Sequence, residues 1–68
     1  KDEKNYLKFR RSIYTSKDIL KNEKFTKKNL VIIRPSLGLE PKNIKKIIGK
    51  RAKCKIKFAT PLKWKYIK

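Results

Sequence analysis

Histidine is absent from this chain of 68 residues, and cysteine occurs once, as Cys54. Without histidine no Ser/His or Cys/His pair can form, which removes the usual activated nucleophiles. Acidic residues are few and scattered: Asp2, Glu3, Asp18, Glu23 and Glu40. No cluster of His, Cys, Asp and Glu has metal-ligand spacing, so no cofactor is expected to sit in this domain. One cysteine excludes an internal disulfide framework. No run approaches the roughly 20 apolar residues of a membrane span, and no secretory leader is visible. No membrane partner is expected, and a reducing, cytoplasmic setting fits. Glycine occurs only twice, at Gly38 and Gly49. The run "GKRAKCKIK" therefore lacks the second glycine of a phosphate-binding loop, and it lacks the hydroxyl as well. It reads as a solvated face.

Basic residues dominate what remains. Lysine and arginine number 22, giving a formal net charge of +17, and lysines outnumber arginines 18 to 4. Such a charge suits a nucleic-acid or anionic-membrane partner. It also arises when solvent-facing positions are simply filled with lysine. Nucleic-acid readers lean on arginine for bidentate contacts, so the second explanation is preferred; a basic nucleic-acid-binding module is the alternative function. Trp64 and Tyr66 could stack on single-stranded bases, but packing one aromatic face onto a small core explains them better. A chain of this length makes one domain with a marginal core, too small to surround a deep catalytic cavity, so catalysis by this piece alone is not expected. It opens without methionine on "KDEKNYLK". Residues 1–8 read as a linker from a missing N-terminal part, and 9–68 as the domain.

Hydrophobic patterning predicts short elements. "RRSIYTS" (10–16) reads as a strand, "LKNEKFT" (20–26) as a turn with Asn22 left-handed, and Thr26 as the N-cap of a helical turn. "LVIIR" (30–34) predicts a strand buried on both faces, ended by Pro35, with Gly38 at a positive φ in the turn that follows. "EPKNIKKIIGK" predicts a short helix opening at Pro41, with Ile44, Ile47 and Ile48 inward and Gly49 as C-cap. "KCKIKF" (53–58) alternates, predicting a half-buried strand with Cys54, Ile56 and Phe58 inward. That places the Cys54 thiol in the core rather than in chemistry. "TPLKWKYIK" fits either a capped helical turn or a strand. A weak repeat at an offset of 37 residues aligns Ile19, Phe25 and Leu30 with Ile56, Leu62 and Ile67, and Ser12 and Thr15 with Gly49 and Ala52. It implies two strand-turn units about a pseudo-twofold axis.

Five segments in order, "FRRSIYTSKDI", "KNEKFTKKNL", "IIRPSLGLEPKNI", "IIGKRAK" and "TPLKW", resemble the C-terminal antifreeze-like (SAF) domain of the sialic acid synthase family. That family includes the N-acetylneuraminate, legionaminic and pseudaminic acid synthases. The resemblance covers roughly residues 9 to 67. It implies a mainly β, β-clip fold of short strands and one-turn helices. It also implies a missing (β/α)₈ barrel that holds a divalent metal and condenses phosphoenolpyruvate with an N-acetylated hexose to a nine-carbon 2-keto sugar acid. The implied partners are the barrel of the same chain and that of a second subunit in a homodimer, together with the amino-sugar substrate. In such synthases the arginine of an "RPG" stretch reaches across to the substrate's N-acyl carbonyl, and the matching position is Arg34.

Read from the residues alone, Arg34 is a surface residue at a strand end making an ordinary salt bridge. The resemblance makes it a substrate contact, a role that a fixed, always-charged guanidinium on a rigid strand suits. The chain departs from the family pattern at three glycines, replaced by Ser36, Asn22 and Ala59, and these put loop geometry in question. Type III antifreeze proteins share the fold, but ice binding needs a flat, weakly polar surface. Here Lys21, Glu23 and Lys24 stand in the matching stretch.

Overall fold

A computed structural model describes residues 9–68; the linker expected over 1–8 lies outside the described residues. Two strands, β1 (Ser12–Thr15) and β2 (Leu30–Ile33), pair antiparallel, with Ser12 opposite Ile33 and Thr15 opposite Leu30. A 3₁₀ turn at Pro41–Asn43 runs into the single helical turn α1 (Ile44–Ile47), and a second 3₁₀ turn spans Trp64–Tyr66. Beyond these, the chain is stitched by single antiparallel bridges: Tyr14 to Pro61, Ile19 to Ile56, Lys24 to Arg51, and Ala52 to Ile67. The architecture is the mainly β, turn-rich one expected.

Local signals explain most of these elements. Pro41 enters the helical segment where its missing N–H costs nothing, and Gly49 leaves it at φ 95°. The Thr26 hydroxyl accepts the Lys28 N–H at 3.1 Å, capping the turn that delivers β2. Asn29, buried at that turn, uses Oδ1 to accept the Thr26 N–H at 2.9 Å and Nδ2 to donate to the Lys24 carbonyl at 3.0 Å. No buried side-chain polar atom among the described residues lacks a partner, as a small core requires.

The repeat is real, and it is written in backbone bonds. Ile19 and Ile56 exchange N–H···O bonds of 2.7 and 2.8 Å across the pseudo-twofold axis. Away from the axis the bonds come in equivalent pairs. Asn22 donates to Ala52 as Ala59 donates to Thr15, and Phe25 donates to Lys50 as Leu62 donates to Ile13. Ser16 donates to Asn29 as Lys53 donates to Tyr66. Each half thus satisfies backbone groups of the other. The six aligned apolar residues, Ile19, Phe25, Leu30, Ile56, Leu62 and Ile67, are all buried, together with Ile13, Ile47 and Ala52.

The same symmetry accounts for two of the replaced glycines. Asn22 (φ 71°) and Ala59 (φ 64°) are equivalent turn residues, and both are left-handed. Asn tolerates that region; Ala is strained in it. Ala59→Gly is expected to stabilise the domain by about 0.5–1 kcal/mol, after the added chain entropy is deducted. A thermal melt reads this directly, and an unchanged or lower midpoint would show that Ala59 carries no strain.

Three expectations fail. β2 is not buried on both faces: Leu30 is buried and Val31 half-buried, but Ile32 and Ile33 are 37% and 41% exposed. Both faces of β1 are covered, whereas exposure of β2 rises along the strand rather than alternating. Its C-terminal end leaves the core, so Ile32 and Ile33, on opposite faces, are both partly exposed. Residues 53–58 form no strand, and Cys54 and Phe58 are exposed. Only Ile56 makes a bridge, because Lys53 turns off to bond Tyr66 and the chain reverses again at Phe58–Ala59. Gly38 does not have a positive φ. Its constraint is steric: a Cβ there would stand 2.8 Å from the Ile13 carbonyl oxygen and 2.9 Å from both N and O of Leu62.

Candidate functional site

β2 runs from the capped turn at Asn29 straight into Arg34 and Pro35. Arg34 is exposed at the strand's end, and the Arg34–Pro35 peptide is cis. Its side chain makes no hydrogen bond or ion pair among the described residues. The salt bridge that a surface arginine would make is not formed among the described residues. Other cations of the domain do find partners. Arg51 Nη1 donates to the Asn22 carbonyl at 3.1 Å, Lys68 Nζ donates to Asn22 Oδ1, and Lys42 lies 3.4 Å from Glu40.

The backbone behind Arg34 is held firmly. The Pro35 carbonyl accepts the Tyr14 phenol at 2.8 Å and the Leu37 N–H at 3.0 Å, with the Ser12 hydroxyl at 3.4 Å. Ser12 Oγ in turn accepts the Gly38 N–H at 3.0 Å. Ser12 and Tyr14 are both buried, on the strand paired with β2. Gly38 then lets the chain pass against Ile13 and Leu62, and Leu39 closes the circuit by bonding both. Reading the sequence missed Ser12 and Tyr14. Their signal was a hydroxyl and a phenol on one short strand directly preceding a core isoleucine pattern, but only the register shows what they reach.

Along the chain the exposed apolar neighbours of Arg34 are Ile32 and Ile33 before it and Leu37, 52% exposed, after it. Exposed Arg11 precedes Ser12 on the facing strand, where Ser12 pairs with Ile33. A shallow groove lined by Lys27, Leu30, Val31, Ile32 and Ile44 lies along β2. It holds no acid, nucleophile or general base. No group of three or more His, Cys, Asp or Glu side chains comes together among the described residues. The described carboxylates are engaged locally: Asp18 accepts the Phe58 N–H at 2.8 Å, Glu23 accepts the Leu20 N–H at 2.8 Å, and Glu40 pairs with Lys42. No helix among the described residues is long and apolar enough to cross a membrane. Tyr66 packs against the core, and Trp64, 47% exposed, keeps much of its ring in solvent. The arrangement can present a cation flanked by apolar side chains to something else.

Comparison with known proteins agrees with this geometry. Residues 10–68 match the model of the SAF domain family. The chain is 49% identical over 55 residues to the pseudaminic acid synthase of Campylobacter jejuni subsp. jejuni serotype O:2, which covers 81% of this chain and 16% of that protein. It is 46% identical over 54 residues to the pseudaminic acid synthase of Helicobacter pylori, covering 79% of the chain and 16% of the relative. Identity to the N,N'-diacetyllegionaminic acid synthase of Legionella pneumophila is 34% over 58 residues, covering 85% and 16%. The chain thus spans 16% of the length of these relatives. With the repeat, the crossed bonds and the β-clip of short strands already in view, the chain belongs to the SAF domain family, in the form carried by the sialic acid synthases.

Proposed function

We propose that this domain caps the active site of a sialic acid-type synthase and supplies Arg34 to it. The reaction is the condensation of phosphoenolpyruvate with an N-acetylated hexose to a nine-carbon 2-keto sugar acid. The higher identity to pseudaminic than to legionaminic acid synthases favours a product of the pseudaminic type. The chemistry, and the divalent metal that would assist it, belong to a barrel domain outside these residues. The domain covers the barrel of the second subunit in a cytoplasmic homodimer.

The observation that carries this reading is the state of Arg34: an exposed guanidinium that makes no hydrogen bond or ion pair among the described residues, at the tip of a pinned strand. Its N–H groups donate to the acyl carbonyl oxygen of the amino sugar, with no proton to gain or lose across the working pH range. Ile32, Ile33 and Leu37 form the apolar rim that excludes water when the cap is seated, which strengthens the contact they surround. The contribution to rate is orientation of one substrate against the other.

In the full-length enzyme, Arg34→Ala is expected to lower kcat/KM for the amino sugar about ten- to hundred-fold, the worth of a charge-assisted hydrogen bond. KM for phosphoenolpyruvate and the melting temperature should stay put. Arg34→Lys should recover only part, because the ammonium lacks the planar fork. Steady-state kinetics with each substrate varied in turn checks this; amino-sugar kinetics untouched by Arg34→Ala would refute it.

A further inference from the structure

We infer that Tyr14 and Ser12 are positioning residues for Arg34, a latch that sets where the guanidinium stands; the inference rests on the substrate-contact reading of Arg34. The two side chains converge on one atom. Pro35 is the residue after Arg34, and its carbonyl oxygen takes the Tyr14 phenol at 2.8 Å and faces the Ser12 hydroxyl at 3.4 Å. Ser12 Oγ also accepts the Gly38 N–H at 3.0 Å, so the turn is gripped at both ends. A carbonyl held by two donors from a neighbouring strand, besides the local Leu37 N–H, is fixed in direction as well as position. That oxygen belongs to the Pro35–Ser36 peptide, so holding it anchors the proline that follows Arg34 and, through it, the end of the backbone from which the Arg34 side chain departs.

The fold itself does not call for this latch. The pseudo-twofold places Gly49 where Ser12 stands and Arg51 where Tyr14 stands. In that half Gly49 has no side chain, and Arg51 bonds the Asn22 carbonyl instead. Both halves nevertheless close with equivalent backbone bonds. By contrast, the Thr15 hydroxyl donates to the Lys57 carbonyl and accepts the Thr60 N–H; it ties the halves together and never reaches the Arg34 turn. The hydroxyls of Ser12 and Tyr14 serve the half that carries the arginine.

The test is a double-mutant cycle in the full-length synthase, with hydrogen exchange alongside. Tyr14→Phe keeps the buried ring and deletes only the phenolic oxygen. It is expected to lower kcat/KM for the amino sugar about three- to ten-fold, with KM for phosphoenolpyruvate and the melting temperature little changed. Ser12→Ala should act in the same direction. Amide exchange at Leu37 and Gly38 should quicken in both variants. Once Arg34→Ala is present, Tyr14→Phe should add no further loss, because both act through one contact. An undiminished loss from Tyr14→Phe on top of Arg34→Ala, or unchanged exchange at Leu37 and Gly38, would overturn the latch. A neutral Arg34→Ala accompanied by quickened exchange would overturn the substrate-contact reading and leave the latch standing as a structural device.

Discussion

Phe25→Ala is expected to leave this domain unfolded or nearly so at room temperature. Phe25 is the largest of the fully buried side chains, and Ile13, Ile19, Ile47 and Leu62 in the same core are fully buried too. Removing a buried phenyl costs about 3–5 kcal/mol through lost burial and the cavity left behind. Domains of this length have roughly 3–10 kcal/mol in total. Neighbours cannot collapse into the hole, because the backbone at Phe25 is tied on both sides: its N–H to Lys50 at 2.8 Å and its carbonyl to Gly49 at 2.9 Å. The thermal midpoint should fall by about 15–30 °C, and Phe25→Leu should cost only a fraction of that. A Phe25→Ala variant melting within a few degrees of the parent would mean that the core is centred elsewhere.

Gly38→Ala should be nearly as damaging, for a different reason. A methyl group there meets three backbone atoms at 2.8–2.9 Å, the Ile13 oxygen and the Leu62 nitrogen and oxygen. Those atoms are not free to move apart. Leu62 donates to Ile13, Leu39 donates to Leu62, and Ile13 donates to Leu39, each at 2.9 Å. The methyl therefore wedges open a closed ring of three hydrogen bonds, at a cost of about 3 kcal/mol or more. Gly49→Ala is the informative control. Gly49 has the positive φ of 95°, yet nothing lies within 4 Å of where its Cβ would be. Only left-handed strain applies there, about 1–2 kcal/mol. Chemical denaturation of the two variants gives the order, and the reverse order would refute the steric account of Gly38.

That contrast shows where the residues speak for themselves and where they do not. Features set within a few neighbours were legible: the strand at Ser12–Thr15, the Thr26 cap, the left-handed Asn22, and the helical turn between Pro41 and Gly49. The 37-residue repeat, weak as identity, named all six residues of its three apolar pairs as core. Gly38 misled because a tight turn and a tight crossing ask for the same residue, and only Leu62, from the other half, tells them apart. Cys54 and Phe58 misled because alternation says which residues face one way only along a continuous strand, and here the only pairing over 53–58 is the single bridge at Ile56. The position of Arg34 at the end of β2 was readable, and the bonds of Ser12 and Tyr14 to the Pro35 carbonyl were not. A hydroxyl's partner depends on register, which no local pattern specifies.

The crossed bonding of the two halves bears on how the cap can behave in time. The turns at Asn22 and Ala59 are closed by carbonyls of the other half, and among the described residues the only continuous strand pair is four residues long. Such a chain has few local contacts to accumulate, so neither half gains much by ordering first. The domain is thus expected to open and close as one event, without a frayed half that keeps the arginine arm in place. On the proposed capping role, any gating would come from movement of the whole domain, with Arg34 arriving and leaving as part of a rigid body.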